Sequence, residues 1–549
     1  MSLLQLAQES NIIQAELGLV VLLFIAAFVA IFVRRFQRIP YTTALVVVGL
    51  GLALMPNFLN LDFGADVILA VLVPPLLFEA TLNIPWNRLK SDLGIIALLA
   101  VVGTLLSTII VGGVVMQFLG IPLAAALAFG ALISATDPVS VISFFRSLGV
   151  SKRLSILVEG ESLFNDGTAI VLFNLALTAG LLGLDSFGPG QALQQFVVVS
   201  LGGLAVGLVL GYIVSSLILK NVDDNLIETT TTVALAFGAY VIAESFGKFV
   251  GVPDLHFSGI LAVVAAGLMV GNIGLQNTSP TTRLTLENFW EFAAYITNSI
   301  IFLAIGLEIN LADLRLFIVP IVVAVIAVLV SRAIVVYALT WGYGRIQPGK
   351  RIPLPYRNVM FWGGLRGAIS LALALSLDGH IFGATFATEL RVMTFGVVLF
   401  TLLVQGTTID RVIKRLGLAA KSGKRVEMQR RQARLYAQWA GQQELDRLYN
   451  EGILYKEMWE AMRQVYDGKI EDNMQALLGH LEVYPELEQE LFLQAREDVL
   501  KAERSAIGDA LRRGLVSDDV YHELIESLNN RLAAMEILKE NRGLGDEAD

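Results

Sequence analysis

A cluster of acidic, hydroxyl and amide side chains interrupts one long apolar segment of the chain. Glu161, Ser162, Asn165 and Asp166 stand among Leu, Ile, Val, Phe and Ala residues, so a membrane-spanning helix would bury them in the bilayer. An ionisable group there costs about 2.5–3.5 kcal/mol or more and normally faces the bundle interior along an ion or proton pathway. Helical spacing puts Ser162 and Asp166 on one face, with Glu161 and Asn165 beside them. The pattern predicts a cation site, whereas hydrogen bonding between helices is the alternative for Ser162 or Asn165 alone.

Two further apolar segments combine a helix-breaking residue with a charged one. Segment 122–145 contains Asp137 followed by Pro138, and proline removes a hydrogen-bond donor and disfavours helix in the residue before it. Segment 358–377 contains Arg366 between glycines, which loosen the helix. The two segments are predicted to run in opposite directions, each as the middle of a trio, as in inverted-repeat transporters whose half-helix ends meet near the midplane. For either break alone, a kink in an ordinary packing helix is the alternative.

Two more charged residues lie in apolar segments. Glu79 follows a proline pair in segment 66–84, and it is either an outer ligand of the site or an acid that neighbouring helices satisfy. Arg332 stands late in segment 315–340. We interpret it as a snorkelling or pairing arginine near the cytoplasmic face.

The composition is that of a polytopic membrane protein, with 55% hydrophobic residues, 16% charged residues and a mean hydropathy of +0.66. About thirteen apolar segments reach the roughly 20 residues that cross a bilayer as a helix. Their approximate spans are 14–33, 41–59, 66–84, 94–118, 122–145, 154–182, 192–219, 227–247, 251–271, 287–309, 315–340, 358–377 and 391–409. The fold class is therefore all-α, with inverted repeats and two broken helices.

The residues after about 415 differ in composition from those before. Residues 421–549 hold 18 Lys and Arg and 26 Asp and Glu, out of 40 and 49 in the chain. Apolar residues there recur every three to four positions, which is typical of amphipathic helices. We predict two domains, a transmembrane domain over residues 1–415 and a cytoplasmic helical, regulatory domain over residues 416–549.

The entry to this second domain is basic. The positive charge anchors the preceding segment on the cytoplasmic side, and contact with anionic lipid is the sharper alternative. The basic residues are Lys421, Lys424, Arg425, Arg430, Arg431 and Arg434.

The distribution of Lys and Arg predicts the orientation. Basic residues follow the first, third, fifth, eleventh and thirteenth segments, which places the N-terminus outside and the second domain in the cytoplasm. The first segment lacks a basic n-region and a cleavage site, so we expect a retained helix.

Composition and missing motifs exclude several classes of function. The chain has no cysteine, which excludes disulfides and thiolate metal sites. Its acidity argues against nucleic-acid binding. A membrane-embedded hydrolase is not predicted, because neither H-E-x-x-H nor G-x-S-x-G occurs.

The motifs resemble those of the cation:proton antiporter-1 family, which includes the bacterial NhaP-type sodium/proton antiporters and the animal sodium/hydrogen exchangers. The resemblance covers about residues 12–415, and its most specific pieces are the motifs at 135–138, 159–167 and 363–367. It implies a homodimer of thirteen-helix chains in the cell (inner) membrane. Helices at about 94–182 and 315–409, including the two broken helices that cross, would form a mobile core, and the other transmembrane helices a scaffold.

The resemblance also implies the cation ligands. In similar proteins the acid that corresponds to Asp166 holds the cation, with the positions of Ser162, the Thr136 backbone and Glu79 nearby. Asn165 matches the family's orienting amide.

A supporting charge network is implied in the same way. Glu161 and Arg366 match an ion pair between the two repeats. Asp137 would lie where the broken helices cross, and its negative charge would offset the exposed helix N-termini.

These features predict a secondary active antiporter and not an enzyme. Burial disfavours the charged carboxylate, so a proton and a cation compete to neutralise Asp166. Oxygen ligands suit Na⁺ or Li⁺, and the Asn-Asp pair suggests electroneutral one-for-one exchange, with a role in sodium transport and pH homeostasis. No cofactor is expected beyond the transported Na⁺ (or Li⁺) and H⁺. K⁺/H⁺ or Ca²⁺/H⁺ exchange and a cation channel stay open as alternatives.

Overall fold

The chain forms two compact units, Met1–Leu418 and Ala419–Asp549. The computed structural model describes residues 18, 20–33, 35, 40–55, 67–183, 187–222, 224–252, 255–377, 379–419 and 422–541. Within these residues the regular structure is helical, without a strand. The predicted all-α class is therefore confirmed.

Helices build the described part of the first unit. The first are α1 (Val20–Val33), α2 (Tyr41–Ala53), α3 (Ile68–Leu82), α4 (Trp86–Leu119), α5 (Leu123–Leu132), α6 (Val139–Leu148), α7 (Lys152–Leu182), α8 (Pro189–Ile218) and α9 (Asn225–Glu244). They are followed by α10 (Phe246–Val250), α11 (Gly259–Asn277), α12 (Pro280–Glu308), α13 (Leu311–Leu316), α14 (Ile318–Ile346), α15 (Leu354–Trp362), α16 (Ala368–Leu375), α17 (Gly379–Phe382) and α18 (Ala384–Arg415).

Each apolar segment of the sequence contains one of these helices or a pair of half-helices. Among the described residues, eight helices are long and apolar enough to cross a membrane, and several shorter apolar helices accompany them. The exact number of crossing segments stays a prediction. The beginning of the first predicted segment, 14–33, lies partly outside the described residues.

Two helices are interrupted where the sequence predicted it. The chain leaves the helical path between α5 and α6, and again between α15 and α16. The amide of Asp137 in the first break donates a hydrogen bond of 2.8 Å to the carbonyl of Leu365 in the second. The breaks therefore lie against each other, as the resemblance implied.

The second unit consists of α19 (Ser422–Asn450), α20 (Lys456–Val483), α21 (Pro485–Arg512) and α22 (Asp518–Asn541). One apolar cluster joins α19, α20 and α21, and another joins α21 to α22. Burial of these Leu and Met side chains is the main favourable term for a small helical unit of this kind.

The predicted basic entry is only partly visible. Lys421 lies outside the described residues, as do the side chains of Lys424 and Arg425. Arg430 and Arg431 both pair with Glu427 on the same helix, at 3.7 and 2.9 Å, and Arg434 is exposed. Because surface pairs of this kind contribute little, contact with anionic lipid stays a prediction.

Candidate functional site

A cavity of about 90 Å³ lies beside the two breaks. It can hold several water molecules, since one needs about 10–15 Å³ of such volume. Its polar lining consists of Thr136, Asp137, Glu159, Ser162, Asp166, Asn298 and Ser370. Among the described residues no three His, Cys, Asp or Glu side chains are grouped closely enough to hold a metal ion between them. The cavity is therefore large enough for water and is lined by three carboxylates, Asp137, Glu159 and Asp166.

One face of α7 supplies the acid of this cavity. Ser162 and Asp166 both line it, one helical turn apart, and only 2% and 8% of their surfaces are exposed. In the described part of the chain, no salt bridge reaches Asp166. The sequence prediction thus placed these two residues together correctly, and their role stays a prediction.

Asn165 holds the first break against α7. Its Nδ2 donates a hydrogen bond of 2.7 Å to Thr136 Oγ1, and its Oδ1 accepts one of 3.4 Å from the Thr136 amide. The Ser162 hydroxyl donates to the Thr136 carbonyl. Asn165 itself does not line the cavity. It orients the Thr136 segment, so that backbone and hydroxyl oxygens lie next to the acid.

Glu79 does not line the cavity in this structure. It lies near the end of α3 and accepts a hydrogen bond of 3.1 Å from Asn83. Its charge interacts with those of Arg146, Glu291 and Glu159. Of the four predicted cation ligands, the structure therefore brings three together and leaves Glu79 outside the cavity lining.

Asp137 lies at the start of two half-helices. Its Oδ1 accepts a hydrogen bond of 2.9 Å from the Val139 amide in the first turn of α6. A Cβ atom on Gly367, the residue before α16, would lie 2.3 Å from Asp137 Oδ2. Both helix N-termini therefore point their partial positive charge at one carboxylate.

The predicted ion pair between Glu161 and Arg366 is wrong. Glu161 pairs with Arg332 through both carboxylate oxygens, with a hydrogen bond of 3.0 Å from Nη2 and a shorter one from Nη1. Arg366 Nη1 instead donates to the carbonyls of Ser134 and Ala135, at 2.9 and 3.1 Å. Those carbonyls follow the end of α5, where the break leaves them without helical partners.

Arg332 is also not a snorkelling residue near one face. Because α14 continues to Ile346, Arg332 lies in the middle of that helix and is 8% exposed. It also donates to the Met360 carbonyl near the end of α15, at 2.9 Å. The pairing alternative was the right one, and the sequence signal for it was a mid-segment arginine, which needs a buried acid as partner.

Sequence reasoning missed three polar residues of the cavity. Glu159 stands in the recognised motif but received no role. Ser370, in α16, is fully buried and points its hydroxyl at the Ala135 carbonyl, 3.5 Å away. Asn298 comes from α12, in a segment that was treated only as apolar. The available signal was the run of polar residues at 297–299.

The transmembrane part of the chain matches the family model for "Sodium/hydrogen exchanger, transmembrane" over residues 20–415. The chain belongs to this exchanger family. The resemblance predicted from the motifs is therefore confirmed.

Relatives in the exchanger family extend over both units. The Na(+)/H(+) antiporter ApNhaP of Aphanothece halophytica is 37% identical over 525 residues, which cover 95% of this chain and 96% of that protein. The Na(+)/H(+) antiporter NhaG of Bacillus atrophaeus is 36% identical over 518 residues, covering 92% and 94%. Matches of this length include the C-terminal unit.

A solved exchanger structure has the same fold. The sodium proton antiporter MjNhaP1 from Methanocaldococcus jannaschii at pH 8 has a TM-score of 0.61 and 21% sequence identity, and it covers 74% of this chain and 99% of its own. This likeness confirms the predicted fold class. With the family match and the apolar helices, it identifies the chain as an integral membrane protein.

Proposed function

We propose that this exchanger-family protein is a secondary active antiporter that exchanges Na⁺ for H⁺, with Asp166 as the exchanging group. The observation that carries the proposal is a buried carboxylate, free of salt bridges within the described residues, that lines a water-sized cavity beside two crossing half-helix breaks. A buried acid without a cationic partner is stable only when a proton or a cation neutralises it. The names of the relatives favour Na⁺.

Exchange follows from competition at one carboxylate. Charged Asp166 is expensive to carry across the apolar barrier, so the core crosses only with H⁺ or a cation bound. Each crossing then carries one or the other, and the gradient of one ion drives the other. Because a single acid is neutralised, we infer electroneutral one-for-one exchange. Oxygen groups at Ser162 and Thr136 suit hard monovalent cations such as Na⁺ and Li⁺.

The architecture of the complete transporter is part of this proposal. We infer a homodimer in the cell membrane, with the N-terminus outside and the C-terminal unit in the cytoplasm. The family resemblance supports the dimer, and the distribution of basic residues supports the orientation. We infer a regulatory role for the C-terminal unit, which is a compact unit with hydrophobic clusters of its own and contributes none of its described residues to the cavity.

The decisive experiment replaces the acid. Asp166→Asn in proteoliposomes should abolish Na⁺-driven proton flux, while detergent-purified protein keeps the wild-type melting temperature. Glu287→Gln is the matched control and should exchange normally, because Glu287 is a half-exposed acid on α12 that pairs with Arg283 and does not line the cavity. Proton flux that persists in Asp166→Asn would contradict the assignment.

The same preparation separates the alternatives. Proton flux driven by K⁺ or Ca²⁺ in place of Na⁺ would show that the protein exchanges a different cation. Single-channel currents would show that it is a channel and not an antiporter. A membrane potential generated during exchange would contradict the one-for-one stoichiometry.

A further inference from the structure

The cavity has two chemically different walls. The core contributes Asp166, Ser162 and Ser370 with the residues of the first break, and these carry most of the polar atoms. The scaffold helix α3 contributes only apolar side chains, namely Val73, Leu76, Leu77 and Ala80. Asn298 of α12 is the exception on the scaffold wall.

The environment of Asn298 separates it from its neighbours on α12. Thr297 and Ser299 are 5% and 1% exposed, and Ser299 exchanges a hydrogen bond of 2.8 Å with Tyr41 in the packing between α2 and α12. Asn298 is partly exposed and lines the cavity. None of the described residues forms a hydrogen bond with its side-chain amide. The amide of Asn298 is therefore available to bind a ligand in the cavity.

We propose that Asn298 is the scaffold's ligand for the transported cation, with its Oδ1 bound to the ion while Asp166 holds the ion from the core. This inference rests on the proposed exchange at Asp166. An amide oxygen is a suitable ligand for a hard cation, and several waters in the cavity complete the coordination. Asp166 and Asn298 thus bind the ion from opposite walls while the cavity is open to it.

The neutrality of the amide is what makes it suitable for this position. The core must leave the scaffold when it crosses, so every scaffold ligand is lost in that step. A carboxylate binds a cation more strongly than an amide dipole does, so the ion stays with Asp166. A second carboxylate on the scaffold would retain the ion and slow the crossing. Asn298 therefore sets the affinity on one side of the membrane without entering the charge balance.

The first test removes the amide. Asn298→Ala should raise the KM for Na⁺ about tenfold, which corresponds to one lost hydrogen-bond-strength contact to a charged group, and leave kcat within about twofold. The increase should be confined to one side of the membrane, because the core leaves the scaffold wall when it crosses, and it is measured in everted and right-side-out vesicles of the full-length protein. Thr297→Val is the matched control, since Thr297 is buried on the same helix and does not line the cavity.

The second test adds a charge. Asn298→Asp should lower the KM for Na⁺ and lower kcat at the same time, because tighter binding before the crossing slows the crossing. A purely structural role for Asn298 would reduce the melting temperature or kcat and would not produce opposite KM shifts in the two variants. If Asn298→Ala yields too little folded protein, Asn298→Leu, which keeps the volume of the side chain and removes its oxygen, gives the same comparison.

Each outcome is informative. A wild-type KM in folded Asn298→Ala, or equal KM increases on both sides, would overturn the scaffold-ligand proposal while leaving exchange at Asp166 intact. Continued exchange in Asp166→Asn would overturn the proposed function instead. Because the Asn298 measurements use chains that retain Asp166, the two failures are distinguishable.

Discussion

The two interrupted helices look alike in outline but are completed in different ways. The carbonyls after α5 receive Arg366 from the other break, at 2.9 and 3.1 Å. The end of α15 receives Arg332 from the continuous helix α14, through the Met360 carbonyl. Asp137 of the first break, in turn, lies at the start of both second halves. The carbonyls of the first break are therefore satisfied by an arginine of the second break. A carbonyl of the second break is satisfied by an arginine of a neighbouring continuous helix.

This difference separates the charge network from the exchange site. Arg332 and Glu161 neutralise each other behind the breaks, and Arg366 is occupied with backbone carbonyls. Among the described residues no arginine forms a salt bridge with Asp166, although the charge of Arg366 acts on it from a distance. The free acid in the cavity is thus a consequence of how the two breaks are braced.

Removing Arg332 should have the largest effect on stability. Arg332→Ala leaves Glu161 buried and unpaired, and we expect a loss of about 3–5 kcal/mol in the free energy of unfolding. Thermal unfolding of purified protein measures this, and the double variant Glu161→Gln with Arg332→Ala should recover much of the loss. A larger loss of stability in Arg366→Ala than in Arg332→Ala would indicate that Glu161 pairs with Arg366, as the sequence predicted. It would contradict the difference between the two breaks.

Adding a methyl group at the contact between the breaks should have an intermediate effect on stability. A Cβ on Gly367 would lie 2.3 Å from Asp137 Oδ2 and 2.5 Å from Asp137 Cβ, so Gly367→Ala forces the two breaks apart. We expect a loss of about 1–3 kcal/mol, with slower exchange. Gly238→Ala is the control, because its Cβ would have no neighbour within 4 Å. Equal melting temperatures for the two variants would mean that the breaks are not in tight contact.

Neutralising Asp137 should have the smallest effect of the three. Asn at this position can still accept the hydrogen bond from the Val139 amide, so Asp137→Asn removes only the attraction between the charge and two helix N-termini. That attraction is worth about 0.3–2 kcal/mol, and a small shift in melting temperature is expected. A loss as large as that of Arg332→Ala would show that Asp137 carries more of the network than its contacts indicate.

Much of the transmembrane fold was predictable from the sequence. Apolar segments of sufficient length predicted the helices, and Pro138 and the glycines around Arg366 predicted both interruptions. The prediction that Ser162 and Asp166 share one face of α7 was also correct, since residues one turn apart share a face in any α-helix. These inferences depend on local spacing and on the high cost of polar groups in lipid.

Partners across space were harder to predict. Arg332 and Arg366 were both available to Glu161, and the sequence could not decide between them because the choice depends on the depth and rotation of α14 against α7. The same reason explains Asn298, whose segment gave no indication of which face meets the cavity. It also explains Glu79, whose charge interacts with that of Glu159 in the cavity but which does not line the cavity itself.

The sequence by itself determined which residues must be buried, where two helices break and which acid is out of place in an apolar segment. Only the tertiary structure decided which charges neutralise one another and which acid remains without a salt bridge. The physical reason is that burial and helix formation follow from each segment's own composition, whereas an ion pair forms only where packing brings two segments within about 4 Å of each other.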